Sequence, residues 1–161
     1  MKLQFLMCTI FFSSGCGLIN KEPEKNGFYE SISGWDIIHV PIIPPFKATS
    51  TYPNIWLIGG SHELIKLNDH TYGDIPVLGF GVSNCYVYGT TPEGYTENID
   101  KWFLFNTSTL DYIEFETEDQ LSIKLDSLDI EKLPIKNCNV YYKSLTEGNK
   151  CYWFPMNEMN K

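Results

Sequence analysis

The chain has 161 residues, of which 43% are hydrophobic, 15% aromatic and 20% charged, so it holds enough apolar material for one globular core and is too apolar for a disordered segment. Its formal net charge is −8, and all twelve of its cations are lysines. An acidic chain without the bidentate guanidinium fork lacks the usual grip on phosphate and repels polyanions, which excludes nucleic acid as a partner.

The first element is a leader. Lys2 is followed by about ten largely apolar residues, Leu3 to Phe12, the proportions of a signal-peptide hydrophobic region. A spanning helix needs ~20 residues, so this run is expected to be cleaved rather than retained. The small residues Ser14 and Gly15 stand directly before Cys16. Ser13 to Cys16, with the run before them, resembles the lipobox of bacterial lipoproteins, although Ser13 stands where that motif usually carries leucine. The resemblance implies a Cys16 that is diacylated at sulfur and becomes the new N-terminus. Several acyl chains, at ~0.8 kcal/mol per buried CH₂, would hold the protein on a membrane. An ordinary secretory signal in which Cys16 is incidental is the competing reading.

The resulting organisation is a signal peptide over 1–15, a lipidated cysteine and flexible tether over 16–33, and a single β-rich domain over 34–161. Removing one lysine and no acid leaves a mature charge of 11 − 20 = −9. Gly17 and Leu18 lack the aspartate read as an inner-membrane retention signal. The expected location is therefore extracytoplasmic and lipid-anchored, on the cell membrane or, in a cell with two membranes, on the outer one.

From Trp35 onward, short apolar-aromatic segments alternate with turn clusters, the pattern of an antiparallel meander. The expected strands are 35–42, 54–59, 63–67, 76–82, 85–89, 101–105, 110–116 and 139–145. Proline donates no ladder hydrogen bond, so VPIIPP at 40–45 is an edge strand or an extended crossing. The clearest hairpin is KWFLF-NTST-LDYIEFE, with Phe103 and Phe105 sharing a face and Ile113 and Phe115 sharing one on the neighbouring strand. One helix is expected over 118–129. Thr117 and Gln120 match a capping box, Glu118 and Asp119 complement the positive helix end, and Leu121, Leu125 and Leu128 form a stripe. Pro134 forbids continuation. The fold class is α+β, mainly antiparallel β.

Few residues suggest chemistry. His62 and His70 would lie about 26 Å apart in an extended chain and ~12 Å apart in a helix, too far to share a metal without a sharp turn. Gly79 and Gly81 precede no helix start, so they mark a bulge or a close backbone approach rather than a phosphate cradle. No metal, no cofactor and no catalytic residue is assigned. Cys85, Cys138 and Cys151 leave open one disulfide with one thiol, or buried free thiols. A tight turn at Glu147-Gly148 would set Cys151 opposite Ser144 rather than Cys138. The aromatic stretch 151–159, with Tyr141 and Tyr142, is either an exposed contact surface or a final strand closing the core.

Three classes of role remain: a non-catalytic envelope binding or assembly module, an immunity or inhibitor lipoprotein neutralising a basic toxin or lysozyme-like enzyme, and a hydrolase whose site the sequence does not reveal. The first is the expected one, so the protein is read as no enzyme. SNCYVYG (83–89) is only loosely similar to the small lysozyme-inhibitor lipoproteins and departs from their Ser-Gly-Ala-x-Tyr pattern, so no inhibitory residue carries over. The run KWFLFNTSTLDYIEFETEDQL also resembles small bacterial lipoproteins and brings no activity with it. The acidity either only keeps the domain soluble or, where it is used, favours a basic protein as partner. That partner would meet the acidic stretch 97–131, which holds ten acids against Lys101 and Lys124, with Glu116, Glu118 and Asp119 as contact residues.

Overall fold

A computed structural model describes residues 28, 37–52, 55–60, 65–67 and 72–154. The expected leader, Cys16, the expected tether apart from Phe28, which is helical, His62, His70 and residues 155–161 lie outside the described residues. From Ile38 onward the described residues form three antiparallel strands, β1 (Ile38–Ile43), β2 (Phe46–Tyr52) and β3 (Ile55–Gly59). A two-stranded ribbon follows, β4 (Ile65–Lys66) and β5 (Tyr72–Gly73). Next, β6 (Ile75–Val77) pairs with β3 and completes a four-stranded sheet in the order β1-β2-β3-β6. The proline-bearing segment at 40–45 thus supplies an outermost strand, as its missing N–H groups require.

The expected strand 76–82 divides at Leu78. Its second half, β7 (Gly79–Ser83), enters a five-stranded sheet with β8 (Tyr86–Pro92), β9 (Ile99–Asn106), β10 (Tyr112–Phe115) and β11 (Lys136–Asn137), in the order β10-β9-β8-β7-β11. Leu78 is buried at the crossing, donating its N–H to Thr90 and accepting from Cys138, both at 2.9 Å.

Helix α1 (Glu118–Ser127) starts at the expected cap. The Thr117 hydroxyl accepts from the Gln120 N–H at 3.3 Å, while the Gln120 side chain reaches past Thr117 to the N–H of Glu116, at 2.9 Å. Leu121 and Leu125 are buried, but Leu128 is the C-cap and 40% exposed, and Ile130 takes its place in the core. The chain leaves the helix at Asp129, whose φ is 53°, well before Pro134.

One expectation is corrected. Residues 139–145 are not a strand but most of a second helix, α2 (Cys138–Thr146). The Asn137 side chain caps it by accepting from the Asn139 N–H at 2.8 Å, and Cys138, Tyr141 and Leu145 form its buried stripe. The turn at Glu147 and Gly148 therefore ends a helix rather than a hairpin. The three thiols are free.

The sheets stack around one core, which joins Val40, Phe46, Ala48, Trp56, Ile58 and Val77 of the first sheet to Phe80, Val82, Val87, Phe103 and Phe105 of the second. Phe46 and Phe105 meet edge to face at 5.0 Å. Helix α2 ties both layers together: Trp56 donates to Asn139 at 2.9 Å, and Tyr141 donates to the Phe80 carbonyl at 3.0 Å. The C-terminal aromatics close the core without forming a strand. Trp153 stands 4.9 Å from Tyr141 and donates to the Pro41 carbonyl at 3.1 Å, and the Tyr152 hydroxyl accepts from the Val82 N–H at 2.8 Å.

Candidate functional site

The opposite face of the five-stranded sheet is organised differently. Alternation along β8 and β9 turns Tyr88 and Leu104 away from the main core, and Leu121 and Leu125 of α1 settle on them, with Ile130 beside. Ile113 and Phe115 share this face, opposite Leu104 and Trp102, while Phe103 and Phe105 share the other. Gly81 faces Tyr88, and a Cβ there would lie 2.8 Å from the ring. A Cβ on Gly79 would lie 2.8 Å from the Lys136 carbonyl oxygen. Both glycines therefore serve close approach, as expected.

Tyr88 anchors the segment that follows the helix. Its hydroxyl accepts from the Leu133 N–H at 2.5 Å and lies 3.1 Å from the Leu133 carbonyl oxygen. Burial pushes this phenol up to about 12.

A helix ~10 Å wide cannot cover five strands that span ~19 Å. Two grooves open on this face, one bordered by the segment 132–135, where α1 contributes only Glu118, and one along α1 itself. The first, about 590 Å³, has Leu78, Trp102 and Ile135 in its lining, with Glu97, Glu118 and Lys132 at its polar positions. The second, about 500 Å³, lies between α1 and β10 and is lined by Glu114, Phe115, Gln120, Ile123, Lys124 and Ser127.

The acidic residues singled out by the sequence sit where β10 runs into α1, all exposed. Glu116 pairs with Lys101 at 3.0 Å, and that hydrogen bond raises the lysine's pKa. Glu118 holds Lys132 at 2.7 Å, and the same ammonium reaches Ser122 at 2.8 Å. Asp119 projects from the first turn of the helix. Two of the three carboxylates are thus engaged by lysines of the same molecule, and only Glu118 lines a groove. Sequence reasoning missed the grooves, Trp102 and Lys132. The available signal was β9 itself, whose Trp-Phe-Leu-Phe run is apolar at successive positions and so needs cover on both faces.

Two of the three thiols are buried. Burial raises the Cys138 thiol and pushes Cys151 up to about 12, against a smaller opposing effect of Lys136. Both are protonated near neutrality and are poor nucleophiles. Burial, then the Lys47 charge, lowers the pKa of His39, whose Nδ1 is buried without a hydrogen-bond partner. Burial also raises Asp74. Among the described residues no cluster of three or more potential metal ligands occurs, and no helix is long and apolar enough to cross a membrane. No family model, curated protein or solved structure matches the chain.

Proposed function

We propose that the protein is an extracytoplasmic envelope lipoprotein, anchored through Cys16, whose β-rich domain is a non-catalytic binding or assembly module for a basic protein partner. The anchor rests on the apolar run ending in Ser13-Ser14-Gly15-Cys16. The binding role rests chiefly on one observation: two largely apolar grooves stand open on one face of the five-stranded sheet, amid exposed carboxylates. The same acidity favours a second reading, an immunity or inhibitor lipoprotein that blocks a basic toxin or lysozyme-like enzyme, since complementary potentials speed encounter.

The test begins with the membrane fraction of cells producing the full chain. Mass spectrometry should find a mature N-terminus at an acylated Cys16; a free, unmodified N-terminus there overturns the anchor. Proteins captured from the envelope at low and high salt then divide the binding readings. One stoichiometric basic protein released by salt supports them, and an enzymatic identity for it selects the inhibitor. Capture that resists salt and yields only acidic or neutral components contradicts a basic partner.

A further inference from the structure

Among the described residues the outer side of β10 is an unpaired sheet edge, because β10 ends the strand order of its sheet. The hydrogen bonds fix which residues present it. The Asn106 N–H donates to the Asp111 carbonyl at 2.9 Å. Bonded pairs alternate in an antiparallel ladder. With Ile113 opposite Leu104 and Phe115 opposite Trp102, those two residues turn their backbone groups inward. Tyr112 and Glu114 turn theirs outward. At the far end the Glu116 N–H, which would continue the edge, is already taken by Gln120. The free edge is therefore short and ends at the start of α1.

Beside that edge lies the groove of about 500 Å³. Ile113 and Ile123 are 40% and 69% exposed next to it, and Phe115 lines it. An added strand would place alternate side chains over this apolar strip. Its remaining side chains would lie beside Glu114 on the other face, while Asp111, which alternation puts on the same face as Ile113, flanks the apolar strip; both acids are exposed. A second copy would bring the same acids and be repelled, which is how edge charges discourage self-pairing.

We infer that β10 is a docking edge for an extended, lysine-bearing segment of a partner protein, which adds to the five-stranded sheet through the backbone of Tyr112 and Glu114 and lays apolar side chains against Phe115 and Ile123. This rests on the reading of a basic partner and adds its mode of binding.

The experiment uses the full chain in a nonionic detergent and a synthetic Lys-Val-Lys-Val-Lys-Val peptide, with hydrogen exchange read residue by residue. The peptide should slow exchange of the Tyr112 and Glu114 amides, and added salt should weaken its binding. N-methylating the peptide on the backbone groups that face β10 should abolish the protection. Glu114→Pro removes an outward N–H at an edge position, where proline is tolerated, and should weaken binding about tenfold. Glu114→Gln, which removes only the charge, should weaken it about twofold to threefold. The N-methylated peptide keeps the test decisive should the proline variant fail to fold. Salt-sensitive binding with protection near Trp102 and Leu133 instead overturns the edge while leaving the basic-partner reading intact. No binding, or equal binding of the N-methylated peptide, overturns the edge outright, and the envelope capture then judges the broader reading separately.

Discussion

On one face of the five-stranded sheet, Phe80, Val82, Val87, Phe103 and Phe105 meet a second sheet, α2 and Trp153, and none is more than 2% exposed. On the other face, Tyr88 and Leu104 meet a single ten-residue helix, and Ile113 and Ile123 are left 40% and 69% exposed. The same strands supply both faces, so the difference lies in what covers them. A sheet matches the area of a sheet, whereas one helix covers only a stripe. The closed face concentrates the burial that holds the fold, and the open face has room for something else.

Four substitutions sharpen or break this contrast, each read as a change in unfolding free energy from urea denaturation. Phe105→Ala removes a ring from the closed face and its edge-to-face partner Phe46; a loss of about 3–5 kcal/mol is expected. Leu121→Ala deletes a fully buried contact under α1, where the helix can settle into the space, and about 2–3 kcal/mol is expected. Equal losses at the two positions would erase the distinction between the faces. Tyr88→Phe strands the Leu133 N–H and should cost about 1–3 kcal/mol. Ile123→Ser, on the open strip, should change stability by less than about 0.5 kcal/mol.

Tyr88 also gives the contrast a pH signature. Its folded value, about 12, lies above its ordinary 10.0, so between these values the folded state keeps a proton that the unfolded state releases. Its contribution is complete below pH 10 and is lost as pH rises toward about 12. Titrating stability through that window should show a shallower fall for Tyr88→Phe than for the wild type. The remaining slope comes from the other groups with raised values that titrate at alkaline pH, Tyr112, Tyr141, Tyr152, Cys138 and Cys151 through burial and Lys101 through Glu116.

Much of the architecture was legible because it is local. Alternation located most of the strands but not β2, whose Lys47, Thr49 and Ser50 hide it; VPIIPP marked an edge, and Thr117 with Gln120 marked the start of α1. Helix α2 was not legible: Val140, Tyr141 and Tyr142 favour strands, and the helical spacing of Cys138, Tyr141 and Leu145 becomes visible only against the core they fill. The break at Leu78 likewise needs the second sheet to explain it. The acids were found as residues, but their partners were not. Lys101 meets Glu116 through the register of β9 and β10, and Lys132 meets Glu118 through the return of the chain past Tyr88. Groove width depends on how many strands a helix must cover, which no local pattern encodes.

The most direct test of the open face as the binding face compares the wild-type full chain with the triple variant Glu116→Lys, Glu118→Lys, Asp119→Lys in capture from envelope membranes at low and high salt. These side chains are exposed, but reversal breaks the pairs with Lys101 and Lys132 and puts cations at the start of α1. A modest loss of stability is therefore expected, and capture is compared well below both unfolding midpoints. The account predicts that it loses the basic partner at every salt concentration, whereas the wild type loses it only at high salt. Equal capture by the two proteins, with the same salt dependence, would contradict the account and remove this face from consideration.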